Sequence, residues 1–123
     1  LNSQTIHLTS ETELLLFYAS RSQNIEENIR PALDRGEMVI CDRFFDASLA
    51  YQGYGRCLPL ELIHRLTALV CRENRPAITI LLDIDPLKGL QRARIRNVSQ
   101  SQDEGRFEKE DVTFYERVWW VPP

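Results

Sequence analysis

Two familiar nucleotide-binding signatures are missing from this chain. It contains no G-x-x-x-x-G-K-[ST] and no G-x-G-x-x-G. The first absence removes the usual backbone cradle for triphosphate; the second disfavours a dinucleotide oxidoreductase. Gly53-Tyr54-Gly55-Arg56 is no substitute, having neither the spacing nor the lysine. Lysine is scarce in general: of the 15 basic residues only Lys88 and Lys109 are lysine, and the rest are arginine. The three cysteines, Cys41, Cys57 and Cys71, make no C-x-x-C, and His7 and His64 stand alone. No metal site is therefore expected, and the thiols read as reduced and buried in a cytosolic protein. There is no signal-peptide pattern and no long apolar span, so no membrane association is expected. A net charge of -3 argues against a basic nucleic-acid-binding surface. Asn97-Val98-Ser99 matches a glycosylation sequon by chance, since nothing else looks secreted.

What remains is a chain of 123 residues, 43% hydrophobic, enough for one domain or part of one with a real core. Its arginines carry a planar fork suited to phosphate and carboxylate. For any one of them, surface bias is the blander account. Both ends look cut: Leu1 is not a starting Met, and Trp119-Trp120-Val121-Pro122-Pro123 stops an amphipathic helix abruptly. The expectation is a fragment, or a product whose frame departs near Trp119.

Ser10-Glu11-Thr12-Glu13 reads as a capping box, with Ser10 as N-cap and Glu13 at N3. A helix follows, with an apolar stripe of Leu15, Tyr18, Ile25, Ile29 and Leu33. Pro31 ends or kinks it and opens a short helix over 31–35, closed by Gly36. Residues 38–42 (MVICD) read as a strand buried on both faces. Asp46 caps a helix to about Gln52, which Gly53-Tyr54-Gly55 breaks. Pro59 opens the next helix, with Leu62, Leu66, Leu69 and Val70 facing the core, fading near Asn74 and Pro76. Residues 77–83 (AITILLD) read as a second buried strand. Asp85-Pro86 starts a helix over 87–96, residues 97–105 form a polar loop, and a last helix begins after Asp111. Strand, helix, helix, strand, helix implies an α/β fold with a parallel sheet flanked by helices.

Ligands of such sheets bind beyond the carboxyl ends of the strands, where Asp42 and Arg43 stand. Arg43 has the fork to hold a phosphate, and Asp42 can orient a metal-bound water or the arginine. Alternatively Asp42 caps a turn and Arg43 pairs with a surface acid, and the dipeptide alone favours that account. Phe17 and Arg21 lie four apart on one helix face, suited to stacking a base and bonding its edge; the plainer account puts Phe17 in the core and Arg21 in solvent. Arg92, Arg94 and Arg96 precede the polar loop and Arg106 follows it. Arginines closing over a transferred phosphate suit phosphoryl transfer, which is mostly positioning and charge stabilisation. Of the first three, at most Arg92 and Arg96 share a helix face, and a helix C-terminus attracts arginines anyway. His64, mid-helix beside Arg65, reads as a surface or packing residue.

Taken together the phrases TELLLFYASRSQ (12–23), IRPALDRGEMVICDRF (29–44), SLAYQGYGR (48–56), RPAITILLDIDPLKGLQRAR (75–94) and RFE (106–108) resemble the bacterial type of thymidylate kinase, in that family's order. The resemblance implies a P-loop NTPase-like nucleoside monophosphate kinase fold, here incomplete: residues 1–123 as one partial domain, with the acceptor-nucleotide site over 12–56 and the lid over about 92–106. It implies transfer of the ATP γ-phosphate to dTMP with Mg2+, in a cytoplasmic homodimer to which the helix over 10–30 contributes. Position by position, Phe17 stacks on thymine and Arg21 bonds its edge. Arg43 of the D-R-[YFH] motif binds the monophosphate, with Asp42 beside the reacting oxygens. Ser48 and Tyr51 line the base and sugar pocket, with Gln52 next to them. Arg92, Arg96 and Arg106 serve as catalytic lid arginines and Arg94 faces ATP. Ala47 and Gly105 stand where the family often has serine and aspartate. The family's first strand, phosphate-binding loop and C-terminal strand and helix have no counterpart here, so little or no catalysis is expected from this polypeptide alone. The rival readings are another P-loop nucleoside or nucleotide kinase, and a non-catalytic α/β remnant.

Overall fold

A computed structural model describes residues 8–100 and 110–120, with the side chains of 97–100 outside the described set. The chain forms two compact units, Leu1–Pro76 and Ala77–Pro123.

In the first unit, α1 (Ser10–Asn24) runs into a π-helical turn, Ile25–Ile29, and then into α2 (Arg30–Asp34). The N-cap is Thr9 rather than Ser10: its Oγ1 accepts from the Thr12 N–H at 3.2 Å. The expected capping box is not made. Glu13 is a buried side chain turned toward the rest of the unit. Pro31 follows directly on the π-helical turn, in the first turn of α2, a place where the helical hydrogen-bond pattern already changes. Gly36 closes α2 with φ 75°, its N–H on the Leu33 carbonyl at 2.9 Å.

A one-turn helix, α3 (Phe45–Ser48), passes directly into a second π-helical segment, Leu49–Gly55. Asp46 does not cap it; the preceding residue is Phe44, which makes no side-chain cap. Nor do the glycines break it. The π-helix runs through Gly53 because α4 (Leu60–Cys71) lies against that position: a Cβ there would stand 2.7 Å from Leu60 Cδ2 and 3.1 Å from Ile63 Cδ1. The glycine permits helix-to-helix contact instead of ending a helix.

Two small apolar clusters hold this unit. Leu14, Tyr18 and Ile63 form one, with Leu49, Leu58, Leu66 and Val70 around them. Ile25, Phe44 and Cys71 form the other, with Ile29, Phe45 and Val70. The stripes are thus rotated from those read in the sequence. On α1 the buried leucine is Leu14, while Leu15 is 57% exposed; on α4 the buried line is Ile63, Thr67 and Cys71, while Leu69 is 67% exposed. Burying one such leucine or isoleucine contributes about 1.5–3 kcal/mol. The buried line on α4 includes a threonine because Tyr18 reaches it with its hydroxyl.

Neither expected strand is built as one among the described residues. Residues 38–41 form neither helix nor ladder, and Met38 and Ile40 stand almost fully open. In the second unit residues 78–83 likewise form neither helix nor ladder, with Ile78, Ile80, Leu81 and Leu82 more than four-fifths exposed. A strand is stabilised by a neighbour that satisfies its N–H and C=O groups and covers its faces. Among the described residues no strand flanks either segment.

The second unit continues with α5 (Pro86–Gln100), opened by Asp85, whose Oδ1 accepts from the Lys88 N–H at 3.1 Å. The helix is longer than expected and takes in the start of the polar stretch read as a loop; residues 101–109 lie outside the described residues. Then comes α6 (Val112–Trp119), starting after Asp111 as expected; the Asp111 side chain caps it, its Oδ1 accepting from the Phe114 N–H at 2.9 Å. Phe114 is buried, and Trp119 Nε1 donates to Asp83 Oδ1 at 2.8 Å.

Candidate functional site

A polar cluster forms at the start of α3. Arg21 reaches it from α1. Its Nη2 donates to the Phe44 carbonyl at 3.0 Å and to Ser48 Oγ at 2.9 Å. Its guanidinium lies between two rings, 4.5 Å from the Tyr18 centroid and 5.5 Å from that of Phe44. Such cation–π contacts hold a desolvated guanidinium in a fixed plane. The other terminal nitrogen, Nη1, is buried and has no hydrogen-bond partner. A buried donor without an acceptor is costly. It is a place for an acceptor to arrive.

The rings themselves are anchored. The Tyr18 hydroxyl lies 2.7 Å from Thr67 Oγ1 and 3.3 Å from the Ile63 carbonyl, and Thr67 Oγ1 donates to that carbonyl at 2.8 Å. Burial, chiefly, pushes the Tyr18 phenol above its ordinary range, opposed by the Thr67 hydrogen bond and the Arg21 charge. Burial likewise pushes the Cys71 thiol up. Phe17, one turn before Arg21 on α1, is 42% exposed, more open than a core phenylalanine.

Asp42 and Arg43 follow residues 38–41 and are both exposed. Arg43 has φ 69°, in the left-handed region where a side chain costs about 1–2 kcal/mol. Such backbone persists only when neighbours enforce it. Here the neighbour is Tyr51: Arg43 Nη2 donates to its hydroxyl, and the guanidinium carbon lies 4.6 Å from its ring centroid. Tyr51 belongs to the π-helical segment, a backbone form enriched at functional sites. Arg43 is therefore presented at the surface on an aromatic platform.

Of the residues singled out in the sequence, the structure brings together Arg21 with Ser48 and Arg43 with Tyr51. Gln52 is different. It is 2% exposed and donates its amide to Glu13 Oε1 at 2.8 Å. Arg92, Arg94 and Arg96 are exposed on α5 in the second unit, and Arg106 lies outside the described residues. Sequence reasoning missed Tyr18, Thr67, Glu13 and Arg56. Tyr18 was legible only as a stripe residue, and Glu13 was absorbed by a capping pattern. Among the described residues no group of three or more His, Cys, Asp or Glu side chains gathers to hold a metal ion. Asp42 by itself makes no magnesium site.

The chain matches the thymidylate kinase family profile over residues 1–118. It is 49% identical over 113 residues to a thymidylate kinase of Syntrophotalea carbinolica, covering 91% of this chain and 52% of that protein. It is 45% identical over 120 residues to one of Maridesulfovibrio salexigens, covering 96% and 55%. Among solved structures it is similar to a thymidylate kinase from Ehrlichia chaffeensis, at TM-score 0.64 and 36% identity, covering 80% of this chain and 57% of that one. The chain spans about half the length of the curated relatives it matches. With the match covering nearly all its residues, the chain belongs to the thymidylate kinase family.

Proposed function

We propose that this chain carries the acceptor half of a dTMP kinase site, and that the whole protein transfers the ATP γ-phosphate to dTMP. Residues 1–123 are then part of one domain of P-loop NTPase-like fold with a parallel sheet, in which 38–42 and 77–83 take up strand pairing. The observation that carries the reading is Arg21: a guanidinium locked by Tyr18, Phe44 and Ser48, with one buried nitrogen left to donate. A thymine presents a carbonyl acceptor at its 4-position. Cytosine presents an amine there, so two donors would face each other and neither would be satisfied. Phe17, one turn away on α1 and part-exposed, supplies a face for stacking.

Arg43, exposed on Tyr51, takes the 5′-phosphate through its fork. Ser48 and Tyr51 flank the nucleoside. Asp42 stands where the reacting oxygens would come, and Arg92, Arg94, Arg96 and Arg106 form the lid. ATP and Mg2+ are required as co-substrate and cofactor, but the residues described here do not by themselves form a site for either; Mg2+ is commonly held by one or two carboxylates together with substrate phosphates. The protein works in the cytoplasm as a homodimer. In support of an α1 interface, Leu15 and Leu16 are each more than half exposed on that helix. No helix of the described residues is long and apolar enough to cross a membrane.

Calorimetric titration of the chain with dTMP, dCMP and dAMP tests this reading. Preference for dTMP over dCMP by about tenfold or more is expected from one lost and one unsatisfied hydrogen bond. Preference for dAMP would favour a different P-loop kinase.

A further inference from the structure

Glu13 is the most deeply buried acid among the described residues, 3% exposed, and nothing in the acceptor chemistry uses it. Both its oxygens are engaged across the unit. Oε1 accepts from Gln52 Nε2 at 2.8 Å and from Arg56 Nε at 3.3 Å; Oε2 accepts from Arg56 Nη2 at 3.3 Å. Gln52 is 2% exposed and the Arg56 side chain 15%. A buried ion pair of this kind is weak evidence of stability, because desolvation offsets much of the attraction. Fixing one geometry among several is the better-attested use of such a pair.

The place of the pair says which geometry. Glu13, Phe17 and Arg21 follow one another at four-residue spacing on α1, so they share a face. Across from them, Ser48 and Gln52 are also four apart, on the helix formed by α3 and the Leu49–Gly55 segment. Arg21 holds Ser48, and Glu13 holds Gln52 and Arg56. The two rungs are eight residues apart on α1, about 12 Å along its axis. With one rung alone, only the packing of Leu49 and Gly53 would resist a pivot of the π-helical segment. Two rungs fix its rotation and its register.

We propose that Glu13 is a positioning residue for the nucleotide site: through Gln52 and Arg56 it sets the register of Leu49–Gly55 against α1. It thereby sets where Tyr51 and Ser48 stand relative to Phe17 and Arg21. The proposal rests on the dTMP reading for its ligand, though not for its geometry. Gln52 acts in it from behind the site, holding the helix rather than touching nucleotide.

The test compares the wild-type chain with the double variant Glu13→Gln/Arg56→Met, which removes both charges while leaving an amide oxygen for Gln52. Removing both partners of a buried pair is often neutral for stability. The double variant is expected to keep its melting temperature, to lose dTMP affinity by about tenfold to a hundredfold, and to exchange backbone hydrogens faster over 49–55 but not over 60–71. Arg56→Lys, which keeps the charge and loses the fork, serves as the second variant and is expected to retain most of the affinity. Wild-type affinity in the double variant, or exchange that quickens equally in both segments, overturns the proposal. If the wild-type chain itself ignores dTMP, the nucleotide reading fails, while the exchange comparison still decides whether Glu13 sets the register.

Discussion

Arg21 Nη2 lies 2.9 Å from Ser48 Oγ, so a single guanidinium ties α1 to the helix that follows the Asp42-Arg43 edge. The same nitrogen also holds the Phe44 carbonyl. An arginine fixed by protein at one terminal nitrogen and left with an unsatisfied buried donor at the other is suited to reading an acceptor on a ligand edge. Replacing Arg21 with lysine keeps the charge and loses the plane. The variant is expected to fold, to bind dTMP about tenfold to a hundredfold more weakly, and to lose its discrimination against dCMP. Parallel titrations with both nucleotides check this.

The backbone at Arg43 supplies a second prediction. Its φ of 69° suits glycine and penalises any side chain. Arg43→Gly is therefore expected to be more stable than Arg43→Ala by about 1 kcal/mol, measured by urea unfolding. Neither variant should distinguish dTMP from unphosphorylated thymidine. Equal stability of the two variants would show that the position is not strained.

Gly53 supplies a third. Valine there would press on Ile63 Cδ1, in the core, as well as on Leu60 Cδ2, which is freer to move. A loss of about 1–3 kcal/mol is expected from overpacking, only slightly offset by valine's better helix propensity. The thermal midpoint reports it.

The buried phenol and thiol predict an alkaline instability. Tyr18 and Cys71 both have their pKa raised in the folded chain, mainly by burial. In the unfolded chain they release protons first, near ~8.5 for the thiol and ~10 for the phenol. Between each unfolded value and the folded one, the unfolded state binds fewer protons, so stability falls as pH rises. Full stability is expected below about pH 8 and a decline above it. Tyr18→Phe should flatten the upper part of that decline and Cys71→Ala the lower part. Urea midpoints across pH 7–11 check both.

Much of the local structure was legible. Asp111 and Asp85 cap their helices because a carboxylate before a helix start accepts an orphan N–H wherever it occurs. Pro31 and Gly36 punctuate α2 for equally local reasons. Pairings that span the chain were not legible. Glu13 fits a capping box in sequence, yet its partners are 39 and 43 residues away. Gly53 reads as a breaker until α4 is laid against it. The segments 38–42 and 77–83 were read as buried strands from their apolar runs, but neither forms a ladder among the described residues, because pairing and burial depend on neighbouring strands and are no property of the segments themselves. At the site, Arg21 and Arg43 were singled out by spacing and strand edge, Ser48 and Tyr51 by resemblance to the family, and the structure pairs Arg21 with Ser48 and Arg43 with Tyr51. Tyr18 and Thr67, which fix the arginine's plane, show no motif at all.

The description of this chain as an acceptor half also predicts little turnover. A coupled ADP-release assay on the purified chain should show a rate far below the roughly 1–100 per second of ordinary kinases. Rates in that range would mean that a donor site forms without a Gly-rich Lys-Ser/Thr loop.

The most direct test of the central claim is calorimetric titration of dTMP into the wild-type chain and into Arg43→Ala. The account predicts measurable binding by the wild type and a loss of about tenfold or more in the variant, with thymidine binding unchanged. Identical dTMP titrations for the two proteins, or no heat from either, would contradict it.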